Sequence, residues 1–218
     1  MKRALATATA SSLLLLSTSA LADNLSGFYA GASVALAETV ALSVEDNAES
    51  DNPGESNTFS ASDQFGSVDV KVGFNKVLDN NLFVGIEGNY NLSGIDENVV
   101  DEPSNNNVVD FSKESLYGIH GKIGSAVAED IALYGILGYQ TTELKIKARD
   151  EDGSPVSKEN DHSGVVYGIG ATYTFMPNVL LTAEATQTDF DEATYFGNSD
   201  AEADNTQFSI GLAYRFDI

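Results

Sequence analysis

Residues 164–188 read GVVYGIGATYTFMPNVLLTAEATQT. Val165, Tyr167, Ile169, Tyr173 and Phe175 share one parity, and glycine, alanine and threonine fill most positions between them. After Met176-Pro177-Asn178 the alternation resumes with Val179, Leu181 and Ala183, and Glu184 holds the opposite parity. Side chains of a strand alternate between its two faces, so each run is a strand with one apolar face. Pro177 and Asn178 are turn formers, and a connection this short joins antiparallel neighbours. The hairpin has one greasy side and one small or polar side. What covers the greasy side decides the fold.

The same pattern extends in both directions. Upstream, Phe28, Ala30, Ala32, Val34 and Leu36 form one apolar face, and Val68, Val70, Val72 and Phe74 form a second, with Asp69 and Lys71 opposite. Leu82, Val84, Ile86, Tyr90 and Leu92 face away from Glu87 and Asn89. Tyr117, Ile119 and Ile123 face away from His120 and Lys122. A fifth segment, ALYGILGYQTTELKIK, is β-rich but ambiguous in parity, which suggests a bulge. The chain ends in FSIGLAYRFDI, where Phe208, Ile210, Leu212, Tyr214, Phe216 and Ile218 alternate to the last residue. With the hairpin, these make eight segments.

The connections alternate in length. Residues 77–81, 127–130 and 176–178 are tight turns, whereas 37–63, 94–112, 146–162 and 189–205 are long. All tight turns therefore lie at one end of an up-and-down sheet and all long loops at the other. Those four stretches hold 7, 5, 5 and 6 acidic residues, 23 of the 33 in the chain, against Lys147, Arg149 and Lys158.

The first 22 residues have the form of a secretory signal. Lys2 and Arg3 precede a short apolar stretch around Leu13–Leu16, and Ala20-Leu21-Ala22 fits the small-x-small rule. Cleavage is expected between Ala22 and Asp23, leaving residues 23–218 as one barrel domain. No later stretch approaches the ~18 consecutive apolar residues of a membrane helix. Cysteine is absent, which removes disulfides and thiolate chemistry. The mature chain would carry nine bases against 33 acids, a formal charge of −24 (9 minus 33). Nucleic acid is not an expected partner, because phosphate binding needs a basic surface.

Two closed sheets fit eight alternating strands: a lipocalin-like barrel with its apolar face inward, and a membrane barrel with its apolar face outward. The polar faces favour the second. Lys71, Glu87, Lys122 and Glu184 each lie about five residues from a tight turn, which places them at one level. In a narrow lumen opposite charges at one level can pair, as buried charges must. Arg215, of the same inward parity, is expected near the mouth beside the tight turns. Tyrosine and phenylalanine recur near strand ends, as an interfacial girdle requires.

On SGFYAGAS, ALYGILGYQTTE, GVVYGIGATYTFMPNVLLTAEATQ and GLAYRF, the chain resembles the small eight-stranded outer-membrane proteins of Gram-negative bacteria, the group of outer membrane protein X and the transmembrane domain of outer membrane protein A. The resemblance covers the whole mature chain and records strand, turn and lipid face. It implies an all-β, up-and-down transmembrane barrel with three short periplasmic turns and four long extracellular loops. It also implies a monomer whose bore is filled by side chains, with Glu87, Lys122 and Glu184 at positions like the family's interior charges. In that family the terminal strand is read by the outer-membrane assembly machinery and usually ends in an aromatic residue. Here Asp217-Ile218 follows Phe216.

Function is less legible than fold. The leading expectation is a structural or surface-interaction barrel, adhesive or protective, surrounded by lipid and lipopolysaccharide. Strand character past the expected span at 39–44, 107–111 and 143–147 supports it, since protruding sheet edges can pair with foreign strands. A narrow channel for ions or small apolar molecules, as in the outer membrane protein W group, is the alternative. A lipid-modifying Ser/His enzyme is the second. His162 and Ser163 are adjacent on a strand and point apart, so they cannot serve each other, and no catalytic residue is assigned. No cofactor or metal is expected either. The acids at Glu45-Asp46 and Asp150–Asp152 lack ordered calcium-loop spacing and read as solvated loops, open to a surface ligand.

Overall fold

A computed structural model describes residues 25–46, 56–63, 67–78, 82–92, 95–100, 108–128, 130–149, 155–191, 193–195 and 199–216. The signal segment with the Ala22–Asp23 junction, the Asp150–Asp152 run and the terminal Asp217-Ile218 lie outside these residues. The strands are β1 (Gly27–Asp46), β2 (Ser56–Asp63), β3 (Val68–Val77), β4 (Leu82–Asn91), β5 (Ile95–Val100), β6 (Val108–Ala128), β7 (Ile131–Arg149), β8 (Pro155–Met176), β9 (Val179–Phe190), β10 (Ala193–Tyr195) and β11 (Ser199–Phe216). β1, β3, β4, β6, β7, β8, β9 and β11 pair antiparallel in that order, and β11 returns to β1. Eight strands thus close a barrel with no free edge in its wall.

The apolar parity faces out. Val70, Ile86 and Ile169 are 38%, 52% and 70% exposed, respectively, while Glu87 and Glu184 are buried inside. An apolar belt around the whole wall is intolerable in water and required in a bilayer. Aromatic rows bound the belt. Near the tight turns Phe28 meets Phe74 at 4.8 Å and Tyr214 meets Phe216 at 5.2 Å, centroid to centroid. Toward the other end Tyr90, paired with Tyr117, and Tyr139 and Tyr167 form the outer row. Such rings suit the headgroup level.

Two local features depart from simple alternation. In β1 the register shifts between Ala35 and Ala37, so Leu36 sits where the apolar face changes parity. Beyond the shift Glu38 and Val40 point inward and are buried. One inserted residue inverts every side chain after it. The fifth segment, β7, holds unbroken register with β8 from Ile131 to Arg149, and the irregularities lie on its other neighbour, β6, at Lys113/Ser115 and Ala126/Ala128. The parity of β7 is hard to read because its inward face is also apolar in the lower half, where Tyr134 and Ile136 join Leu25, Phe83, Ala132 and Leu180 in a core cluster.

Much of the long connections is strand. β2 continues β3 beside β1, β5 continues β4 beside β6, and β10 continues β9 beside β11. β8 starts at Pro155, so His162 is mid-strand.

Candidate functional site

The lumen is stacked in layers. Lys71 on β3, Glu87 on β4, Lys122 on β6 and Glu184 on β9 meet at one level. Lys122 Nζ donates to Glu87 Oε2 at 2.6 Å and to Glu184 Oε1 at 2.9 Å. Lys71 Nζ donates to Glu184 Oε2 and lies 3.8 Å from Glu87 Oε1. Each cation therefore touches both anions, and the four charges sum to zero. In a low-dielectric interior this mutual neutralisation, together with added hydrogen bonds, is what makes buried ions tolerable.

Two tyrosines complete the layer. Tyr29 Oη donates to Glu87 Oε2 at 2.7 Å, and Tyr134 Oη donates to Glu184 Oε1 at 2.8 Å. Lys122 Nζ also sits 5.0 Å from the Tyr134 ring centroid, within cation–π range. Both rings lie across glycines on the neighbouring strand. A Cβ at Gly73 would come 2.5 Å from Tyr29 Cζ, and one at Gly170 would come 2.4 Å from Tyr134 Cε2. Gly73 is the cross-strand partner of Tyr29, and Gly170 of Tyr134. Composition and alternation do not reveal these pairs; the signal is an inward glycine opposite an inward tyrosine, visible only once register is known.

Below the charges the bore fills with Leu25, Phe83, Ala132 and Leu180, and Phe83 meets Tyr134 edge-on at 5.9 Å. At the mouth beside the tight turns, Arg215 donates to the carbonyls of Ser26 at 3.0 Å and Pro177 at 3.1 Å. Above the charges lies a polar tier. Thr188 Oγ1 donates to Gln140 Oε1 at 2.8 Å, and Gln140 Nε2 is 3.0 Å from His120 Nε2. Asn91 donates to Asp69 at 2.8 Å, and Asn205 donates to Glu38 at 3.0 Å. Glu38 falls among the acids of the first long connection in the sequence, but the β1 bulge turns it into the lumen. A small cluster of Leu116, Phe190 and Ala203 lies higher still. The space beside Lys122, Tyr29 and Tyr134 is a cavity of about 20 Å³, room for a single water.

The outward residues of the terminal strand, Phe208, Ile210, Leu212, Tyr214 and Phe216, are 41–57% exposed on the wall. Ser163 and His162 do not meet: Ser163 Oγ pairs with Thr141 Oγ1 at 2.9 Å, and His162 Nδ1 lies 3.4 Å from the Asp191 carbonyl. His162 is just beyond the outer tyrosine row, and burial lowers its pKa below the ordinary 6.5. Among the described residues, no three His, Asp or Glu side chains converge as metal ligands.

Above the wall the ring opens. β3–β4 pairing ends at Asp69–Asn91, and β2 and β5 then part, each staying with its other neighbour. β8–β9 pairing ends at Gly164–Phe190, and β8 parts from β10 in the same way. Among the described residues the rim is therefore two four-stranded sheets, β10-β11-β1-β2 and β5-β6-β7-β8, with no pairing between β2 and β5 or between β8 and β10.

The family model for the outer membrane protein beta-barrel domain matches residues 8–216. No curated protein matches the chain. Solved structures with similar architecture include Ail, the attachment invasion locus protein of Yersinia pestis, with 12% identity over 88% of this chain and 99% of its own and a TM-score of 0.45. The outer membrane protease OmpT from Escherichia coli is 12% identical over 87% of this chain and 97% of its own, with a TM-score of 0.49. Neisserial surface protein A is 18% identical over 88% of this chain and 98% of its own, with a TM-score of 0.39.

Proposed function

The chain belongs to the outer membrane protein β-barrel domain family, and we propose that it works in the Gram-negative outer membrane at its outer rim, as a surface-interaction barrel for attachment or envelope protection. In this reading residues 1–22 direct export and are removed after Ala22. The strand Phe208–Phe216, extended by Asp217-Ile218, is what the assembly machinery reads, and the barrel stays monomeric among lipid and lipopolysaccharide.

One observation carries the reading: five strands are far longer than a bilayer needs. β1, β6, β7, β8 and β11 have 20, 21, 19, 22 and 18 residues, whereas about 9–11 tilted residues cross the hydrocarbon. The excess stands on the side of the long connections, which in such barrels is extracellular. Ordered β structure beyond the membrane gives a rigid surface for recognition. The lumen, by contrast, is filled by side chains in each tier that the described residues form, so transport through it has no support from that geometry. Catalysis has none from His162 and Ser163, whose side chains engage different partners.

The test is twofold. Trimming residues 40–63 and 193–203 to short turns should abolish binding of whole cells to host or neighbouring surfaces, while the unheated protein keeps its compact gel mobility. Attachment unchanged after trimming would sink the reading. The refolded barrel should also be silent in a planar bilayer, and steady single-channel steps would favour transport instead.

A further inference from the structure

We propose that residues 25–27, where β1 begins, form a strap that seals the barrel at the mouth beside the tight turns and keeps bulk solvent from the charged layer above. The inference concerns the end of the molecule opposite the rim and is independent of what the rim binds.

The chain turns a corner at Gly27. This first residue of β1 has a φ of +130°, the one positive-φ glycine among the described residues. A residue without a Cβ adopts such a backbone at little cost, and others do not. A Cβ there would also come 2.9 Å from Phe216 O. Extended backwards from Phe28 at about 3.3 Å per residue, the strand would carry Leu25 out past the end of the wall. Leu25 is instead 6% exposed and packs into the bore with Phe83 of β4, Ala132 and Tyr134 of β7 and Leu180 of β9.

Both neighbours of β1 hold the strap. Ser26 Oγ accepts the N–H of Val77, at the foot of β3, at 3.0 Å. Ser26 O accepts from Arg215 Nη1, near the foot of β11, at 3.0 Å, and Nη2 of the same guanidinium donates to Pro177 O in the β8–β9 turn at 3.1 Å. The Arg215 N–H donates to Asn178 O of that turn at 2.8 Å. Ser26 and Arg215 are 189 residues apart in sequence and meet because β11 returns to β1. The strap therefore sets once the ring has closed. It fastens the seam below Phe28–Phe216, where backbone pairing between the first and last strands ends.

Behind the strap lies the cavity of about 20 Å³, lined by Leu25 on one hand and by Lys122, Tyr29 and Tyr134 on the other. Every other member of the lower cluster belongs to a wall strand; Leu25 alone precedes the wall. It is a stopper, apolar toward the core and tied by hydrogen bonds at its edge. The lysines and glutamates above hold one another through short contacts whose strength depends on a site closed to bulk water. The stopper supplies that closure from below.

The test uses the full barrel refolded in detergent micelles, where both mouths are open to reagent. The chain has no cysteine, so one introduced thiol is the sole target. Ala132→Cys places it in the lower cluster and Ala203→Cys in the upper one, at alanines 0% and 1% exposed. The probe is a negatively charged methanethiosulfonate. With the strap intact both thiols should resist it. Adding Leu25→Gly should speed modification at position 132 at least about tenfold and leave position 203 unchanged. Gly27→Ala should act in the same direction but less, since it strains the corner and spares the plug. Faster modification at both positions would mean a barrel loosened as a whole, and no change at position 132 would mean a mouth closed without the strap; either result overturns the proposal. If the double variants do not reach the heat-modifiable folded form, amide exchange decides. The Val77 N–H should exchange as slowly as amides inside the wall and faster in Ser26→Ala. Rapid exchange at Val77 in the unaltered protein, or no effect of Ser26→Ala, would show that the strap is not docked and sink the idea.

Discussion

Acidic residues in the lumen and at the rim follow opposite rules. In the lumen, Glu87 and Glu184 each touch two lysines and a tyrosine within one layer. By contrast, the four long stretches of sequence hold 23 acids against three bases, and only one of those acids, Glu38, is turned into the lumen by the β1 bulge among the residues whose burial is described. The difference is dielectric. Carboxylates removed from water must be neutralised and hydrogen-bonded where they sit, so their number, depth and partners are fixed. Carboxylates in water are screened within about 8 Å at physiological salt and can accumulate without partners. The same residue type is structural in one region and a field in the other.

The sharpest way to break this contrast is to orphan the inner anions. Lys122→Met removes the cation that bridges both glutamates and leaves two buried carboxylates sharing Lys71. The expected loss is about 3–5 kcal/mol of stability, read from urea unfolding of the barrel in lipid vesicles. Replacing all four charges together with apolar residues of similar volume should recover most of that loss, because no unpaired ion then remains. A stable Lys122→Met barrel would show that bulk solvent reaches this layer and solvates the two carboxylates.

A smaller effect comes from the packing that supports the charges. Gly73→Val places atoms where the Tyr29 ring now lies and pushes its hydroxyl from Glu87. Overpacking of this kind costs about 1–3 kcal/mol, measurable in the same unfolding assay. Gly88 faces outward, where a Cβ would meet only Gly118 O at 3.8 Å, so Gly88→Val should be close to neutral. The two glycines on adjacent strands thus sort the wall into an inner face that counts every atom and an outer face that does not.

What the sequence made legible follows from the same contrast. Strict alternation, three tight turns and the matched depth of Lys71, Glu87, Lys122 and Glu184 are consequences of a wall with two different solvents, and a period of two displays them directly. Glu38 was not legible, because a single inserted residue before it inverts its face and leaves no compositional trace. The tyrosine–glycine pairs depend on cross-strand register, which alternation does not specify. The split of the rim was hidden for another reason. It is defined by where neighbouring strands stop pairing, and the long connections look like loops when only their acids and glycines are read.

His162 stands at the boundary between the two regions and links stability to pH. Its buried imidazole holds a lowered pKa, with desolvation as the main cause and the Asp191 carbonyl and Asp161 acting against it. As pH falls through the ordinary histidine value, the unfolded chain takes up a proton before the folded barrel does. Stability must then decline with falling pH in that window and level off only once the folded barrel is protonated too. His162→Gln should flatten this part of the stability profile relative to the unaltered protein. An identical decline in both would assign it to the rim acids.

The smallest expected effect lies on the outer face of the rim itself. Asp189 and Asp204 are direct cross-strand partners, and Asp189 is exposed. Like charges placed opposite one another repel, by about 0.2–1 kcal/mol at low salt. Asp189→Asn keeps an acceptor for Gln187 Nε2, now 3.1 Å from the carboxylate, while removing the charge. The variant should therefore be slightly more stable than its parent in dilute buffer and indistinguishable from it in molar salt, where screening acts over about 3 Å. No such salt dependence is expected for Lys122→Met, since ions from solution do not reach the sealed layer. A Lys122→Met defect that salt repairs would erase the distinction between the two regions, because it would place the inner charges in contact with the same water as the outer ones.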